Sequence, residues 1–108
     1  MKIIFPDNTV KDFIESLEES TISKTFKAID LLEKFGSELR MPYSKKISKD
    51  LFELRIRGKQ EVRILYTFKG GAVLLHAFVK KTFKIPKKEL EIGKSKLERI
   101  DRQITYTL

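Results

Sequence analysis

Apolar and polar side chains alternate most sharply between Leu51 and Lys84, and the alternation predicts three short strands. In the first, Phe52, Leu54 and Ile56 share one face while Glu53, Arg55 and Arg57 share the other. The second places Val62, Ile64, Tyr66 and Phe68 opposite Arg63, Leu65 and Thr67. In the third, strict alternation sets Val73, Leu75, Ala77 and Val79 against Leu74, His76, Phe78 and Lys80. The turns between them, Arg57-Gly58-Lys59-Gln60 and Lys69-Gly70-Gly71, each offer a glycine for the positive φ of a hairpin connection. One face of this sheet is therefore expected to be aliphatic and buried. The other is expected to gather Arg55, Arg57, Arg63, His76 and Lys80.

The flanking segments carry a helical period instead. Met1–Phe5 reads as a short strand stopped by Pro6-Asp7-Asn8. Thr9, Asn8 or Asp7 then caps a helix whose Val10, Phe13, Ile14 and Leu17 form one stripe. A second helix begins near Ser20–Ser23, carries Ile22, Phe26, Ile29, Leu32 and Phe35 on one side, and stops at Gly36. These two stripes suit packing on the aliphatic face of the sheet. Residues 37–50 read as a loop punctuated by Pro42. Pro86 fits the first turn of a last helix, with Leu90, Gly93, Leu97, Ile100 and Ile104 as a narrow seam. Gly93 in mid-seam implies close backbone packing, since it costs about 1 kcal/mol of helix propensity. Residues 103–108 fit a helix end, a short strand or a frayed tail. The predicted order is β-α-α-β-β-β-α, a single α+β domain over residues 1–108, with a helical hairpin on one face of a twisted, mainly antiparallel sheet.

Composition narrows the class. A chain of 108 residues buries a modest core without staples. Zero cysteines and one histidine leave no disulfide framework or thiolate zinc site, and no metal or other cofactor is expected. No apolar run approaches the roughly 20 residues of a membrane span, and the N-terminal apolar run is too short for a signal peptide. A cytoplasmic protein is expected. The formal charge of +8 is uneven: residues 1–39 carry five Lys/Arg against eight Asp/Glu, whereas residues 40–99 carry seventeen against six. That asymmetry points to a polyanionic partner for the C-terminal two thirds.

Arg55, Arg57 and Arg63 form a candidate phosphate-binding constellation, because guanidinium forks match phosphate oxygens two bonds at a time. Lys80, Lys81 and Lys84 add point charges beside the same edge. His76 is the one side chain here whose unperturbed pKa lies near neutrality, so it is a candidate proton carrier as well as an ordinary structural histidine. Phe78 and Phe83 offer faces for base stacking, although Phe78 also suits the core. Glu53 and Glu61 are the only carboxylates near this face, too few for a two-carboxylate hydrolase or a magnesium phosphodiesterase.

Leu39, Pro42 and Lys45, followed by Leu-Phe-Glu-Leu-Arg at 51–55, Val-Arg-Ile-Leu-Tyr at 62–66, Leu-Leu-His-Ala-Phe-Val-Lys-Lys-Thr at 74–82 and Ile-Pro-Lys-Lys-Glu-Leu at 85–90, resemble the RelE/HigB toxin superfamily, most closely its HigB-like, phage-derived branch. The resemblance spans nearly the whole chain. It implies the RelE-like fold and the toxin of a type II toxin–antitoxin pair, a metal-independent, ribosome-dependent mRNA endonuclease. In such enzymes the ribose 2′-OH attacks the adjacent phosphate and leaves a cyclic phosphate. By that resemblance Arg63 stabilises the pentacoordinate phosphate, and Arg55 and Arg57 hold the scissile or neighbouring phosphate. His76, Lys80 or Lys81 serves as general base or acid. Lys45, Lys46, Lys84, Lys87 and Lys88 grip ribosomal RNA, with Phe83 beside them. The implied partners are the ribosome, mRNA and a helix-turn-helix, DNA-binding antitoxin. Two other readings of the same fold stay open: a ParE-like poison of DNA gyrase, and a non-catalytic RNA- or ribosome-binding module.

Overall fold

The computed structural model of the protein describes residues 1–107. A short strand β1 (Ile3–Ile4) leads into helices α1 (Thr9–Glu15) and α2 (Glu19–Phe35), then a 3-10 turn at Gly36–Glu38. Strands β2 (Ser44–Ser48), β3 (Leu51–Ile56), β4 (Val62–Phe68) and β5 (Ala72–Val79) follow, and helix α3 (Lys87–Thr107) closes the chain. The strands form one sheet in the order β1-β5-β4-β3-β2. Among the described residues only the β1–β5 pair is parallel. This is the mixed α+β architecture that the periodicity predicts, with one strand more than expected.

That strand is β2. Residues 37–50 read as a loop, yet Ser44–Ser48 pair with β3 in antiparallel register. Its Ser-Lys-Lys-Ile-Ser sequence has almost no apolar alternation to betray it. Lysines on a short outer strand suit a sheet edge that must not recruit another chain.

The hairpin α1–α2 covers one face of the sheet. Val10, Ile14, Ala28, Ile29 and Leu32 pack there on Leu54, Ile56, Val62, Ile64 and Leu74. The stripe on α2 is rotated from the expected one. Phe26 and Phe35 are 43% and 45% exposed, whereas Thr21, Thr25 and Ala28 are buried. Small side chains let the helix lie close to the sheet, and the Thr25 hydroxyl is satisfied by donating to the Thr21 carbonyl at 2.8 Å. At the start of α1 Asn8 holds the N-cap position without a side-chain hydrogen bond, and of the three capping candidates it is Asp7 whose carboxylate accepts a helix amide, that of Thr9 at 2.9 Å. Gly36 ends α2 as predicted.

The opposite face is also buried over much of its area. Leu51, Leu65, Val73, Leu75 and Phe78 form a second core, on which Leu90, Leu97 and Ile100 of α3 pack. Val73 and Leu75 were expected on the hairpin side, and the register explains the difference. Leu65 pairs with His76 and Tyr66 with Leu74, so Leu75 is an extra, unpaired residue in β5. A bulge of this kind resets the alternation by one. Ala72 and Leu74 thereby face the hairpin together with Ala77 and Val79, and Val73 and Leu75 face α3.

A Cβ built on Gly93 would stand 2.6 Å from Leu65 Cδ1, so α3 approaches β4 as closely as the glycine in its seam implies. Ile104, the last position of that seam, has a side chain outside the described residues. Gly70 and Gly71 take φ of 73° and 151° in the β4–β5 turn, as expected of a hairpin glycine pair. Gly58 does not have positive φ, because the β3–β4 connection spans residues 57–61 and is not a two-residue turn.

Candidate nucleic-acid interface

Antiparallel pairing sets Arg55 directly across from Arg63 on adjoining strands. Like charges in that position repel, and two carboxylates offset the repulsion. Glu53, on the same face of β3, lies 3.5 Å from Arg55 Nε and 3.9 Å from Arg63 Nε. Glu61 precedes β4 and accepts from Arg63 Nη2 at 3.2 Å, with Arg57 Nε 3.5 Å from the same oxygen. The other Glu61 oxygen accepts the Gly58 amide at 3.0 Å. Burial acts to raise the Glu61 pKa, but the Gly58 amide and the Arg63 and Arg57 guanidiniums together bring it below its ordinary value. Glu61 therefore stays ionised and holds two arginines in place.

Arg63 is only 2% exposed, and its Nη1 donates to the Val62 carbonyl at 3.0 Å. A guanidinium has five N–H donors, and these two hydrogen bonds leave others for a ligand. Arg57 is far more open, with 65% of its side chain exposed. Facing both arginines is the segment that leaves β5. The Lys80 amide donates to the Glu61 carbonyl at 2.7 Å, and the Thr82 hydroxyl donates to the Lys84 carbonyl at 2.7 Å. Between the two walls lies an open cleft of about 460 Å³, lined by Arg55, Arg57, Arg63, Lys80, Lys81 and Phe83, with Glu61 and Thr82 between them. Phe83 is fully exposed. An aromatic ring held in water beside five cations is a ready platform for a nucleobase.

The cleft thus brings together six of the predicted site residues. His76 stands apart. It is half-buried under α3, its Nε2 is 3.4 Å from Glu89 Oε1, and its ring stacks on Phe78 at 5.7 Å between centroids. Phe78 itself belongs to the second core. Lys45 faces the same side as Glu53, its cross-strand neighbour, whereas Lys46 points to the hairpin side over the Phe52 ring. Lys84, Lys87 and Lys88 are exposed around the start of α3, with Lys87 4.0 Å from Glu91. Tyr66 is a core residue whose hydroxyl hydrogen-bonds the Ser44 hydroxyl. Among the described residues no three His, Asp or Glu side chains come together as a cation site.

Burial pushes the His76 imidazole below its ordinary value near 6.5, with the Glu89 carboxylate pulling it back only in part and Lys96 adding to the fall. The unfolded chain therefore binds a proton that the folded protein refuses. Stability is fully present above pH 6.5 and declines as pH falls through the window below it. Urea midpoints at about pH 7.5 and about pH 5.5 should differ more for the natural chain than for His76→Gln. Equal differences in the two proteins would contradict this origin.

Sequence reasoning undervalued Glu61 and Glu53, which hold the arginines. Their signal is spacing: a carboxylate two residues before an arginine on one strand faces the same way as that arginine, as in Glu53–Arg55 and Glu61–Arg63. The family model for phage derived protein Gp49-like matches residues 12–98, a stretch that includes every side chain of the cleft. No curated protein matches the chain.

Proposed function

The chain belongs to the Gp49-like family of phage-derived proteins, a RelE/HigB-like toxin family, and on that footing we propose that it is a toxin that cuts mRNA on the ribosome without a metal. One observation carries this reading: Arg57, Arg63, Lys80 and Lys81 converge on a single cleft with an exposed aromatic ring at its edge. A protein that inhibits only by protein contact has no use for such a convergence.

The chemistry fits the parts. The 2′-oxygen of one ribose forms a bond to the adjacent phosphorus, and the bond from phosphorus to the 5′-oxygen breaks. Arg63, fixed before the substrate arrives, and Arg57 meet the charge that builds on the equatorial oxygens. Arg55 holds a neighbouring phosphate. Lys80 and Lys81 take the 2′-hydroxyl proton and return one to the departing 5′-oxygen, a type of assistance worth about 10²- to 10⁴-fold. His76, turned toward Glu89, lies outside this exchange. Phe83 stacks on a base, and Lys45, Lys84, Lys87 and Lys88 contact ribosomal RNA and give a steep salt dependence.

Cut mRNA should carry 2′,3′-cyclic phosphate on one fragment and 5′-hydroxyl on the other, read by mass spectrometry. Fragments ending in 3′-hydroxyl and 5′-phosphate would overturn the mechanism. Phe83→Ala should leave thermal stability unchanged, because the ring touches nothing it could stabilise. It should weaken RNA binding by about 1 to 3 kcal/mol, measured as a Kd by fluorescence anisotropy.

A further inference from the structure

A second concavity, of about 300 Å³, opens on the hairpin face of the sheet, between the turn that follows α2 and strands β2, β3 and β4. It shares no residue with the cleft. Its floor is aromatic. Phe52 and Tyr66, neighbours across β3 and β4, stack at 5.5 Å between centroids, and Phe68 stands edge-on to them at 5.1 and 5.5 Å. The Tyr66 and Ser44 hydroxyls hydrogen-bond each other, and both residues are buried, at 1% and 5% exposure. Neither makes another side-chain hydrogen bond among the described residues. Whichever of the two donates, the other keeps a hydroxyl hydrogen that still lacks an acceptor.

The rim is cationic. Arg40 and Lys46 line it, both exposed, and no lining residue carries a carboxylate. Arg40 Nη1 donates to the Ser37 carbonyl at 2.7 Å, which fixes the guanidinium beside the turn and leaves its other N–H groups for a ligand. Lys46 Nζ stands 5.9 Å from the centre of the Phe52 ring, above the floor.

We propose that this pocket binds one nucleoside monophosphate, at a site separate from the cleft and independent of the nuclease reading. Its volume lies at the lower end of the roughly 300 to 1,000 Å³ of ligand sites, room for one base and not for a strand. Aromatic faces accept any base by stacking. A carbonyl or ring nitrogen of the base would take the spare hydroxyl hydrogen, which is costly to leave buried without a partner. The phosphate then meets the Arg40 fork and the Lys46 ammonium together. A cationic ligand, the usual guest of an aromatic cage, is refused because Lys46 already lies over the ring. A purely apolar ligand would leave both cations and the hydroxyl unanswered.

The test titrates the full ¹⁵N-labelled chain with adenosine or uridine 5′-monophosphate. Amide shifts should centre on residues 36–40, 44–46, 52 and 66–68, with 55–57 and 80–83 unmoved. Adenosine, which lacks the phosphate, should bind about tenfold or more weakly. Arg40→Gln with Lys46→Gln should lose a similar factor, and both side chains are exposed, so the fold should survive the change. Tyr66→Phe keeps the ring and should cost about fivefold. No saturable binding up to about 10 mM, shifts centred on residues 80–83, or equal binding of inorganic phosphate or benzoate would each overturn the proposal. So would undiminished binding in the Arg40/Lys46 variant, or a response to oligouridine but to neither mononucleotide. The shift map needs no cleavage, so a protein that cuts no mRNA refutes the nuclease reading without touching this one.

Discussion

Arg63→Ala should lower ribosome-dependent mRNA cleavage by about 10²- to 10³-fold, the loss typical of removing one preorganised donor from a developing oxyanion. Binding should fall much less, because Arg57, Lys80, Lys81 and the outer lysines remain. The asymmetry follows from burial. Arg63 is 2% exposed and is held by the Val62 carbonyl and the Glu61 carboxylate, so it costs nothing to orient when phosphate arrives. Arg57, largely in water, must be ordered by the ligand and contributes chiefly to affinity. Arg63→Lys separates charge from geometry. If the two-pronged fork matters, lysine restores little of the rate. Cleavage that survives in a folded Arg63→Ala protein, or binding and cleavage that fall in step, would remove Arg63 from the chemistry.

The second large effect is on stability. Glu53 is 4% exposed and lies against two guanidiniums whose Nε atoms are buried and make no hydrogen bond. Removing one partner of a buried ion pair costs about 3 to 5 kcal/mol, since the charge left behind stays out of water. Glu53→Gln keeps the volume and discards the charge, so the loss should approach the lower end of that range. For a domain of this size each kcal/mol is worth roughly 4 to 8 °C in Tm. Calorimetry should therefore show a fall of about 10 °C or more. The double variant Glu53→Leu with Arg63→Met should recover part of it, because the more deeply buried unpaired guanidinium is then gone and only Arg55, 16% exposed along its side chain, is left without its carboxylate. A Tm within about 2 °C of the natural chain in Glu53→Gln would mean that Glu61 alone suffices to offset the arginines.

Much of this fold can be read from residue order because most of its elements obey one period each. Val10, Ile14 and Leu17 repeat as a helix does, and Phe52 to Ile56 and Val62 to Phe68 alternate as half-buried strands do. Three features escape that reading for physical reasons. A single extra residue at Leu75 shifts the face of everything before it in β5, and no local composition marks it. The polar edge strand Ser44–Ser48 shows no apolar alternation because lysine guards it. On α2 the buried stripe follows small side chains, so Thr25 and Ala28 go inside while Phe26 stays out. The candidate site divides in the same way. Strand spacing alone sets Arg55, Arg57 and Arg63 on one face, and the run from Lys80 to Phe83 ends up opposite them. What spacing cannot reveal is that α3 covers the far end of that face and takes His76 with it, because this depends on how a helix more than ten residues away packs.

The measurement that reaches the central claim most directly is a map of mRNA 5′ ends in a reconstituted translation reaction. It needs the purified protein present or absent, and ribosomes present or absent, with Arg63→Ala as a further control. The account predicts new ends inside codons that need both protein and ribosomes and that disappear with Arg63→Ala. Ends on naked RNA alone would keep the nuclease and discard the ribosome. No new ends, with translation otherwise active, would contradict the account and shift attention to a DNA supercoiling assay.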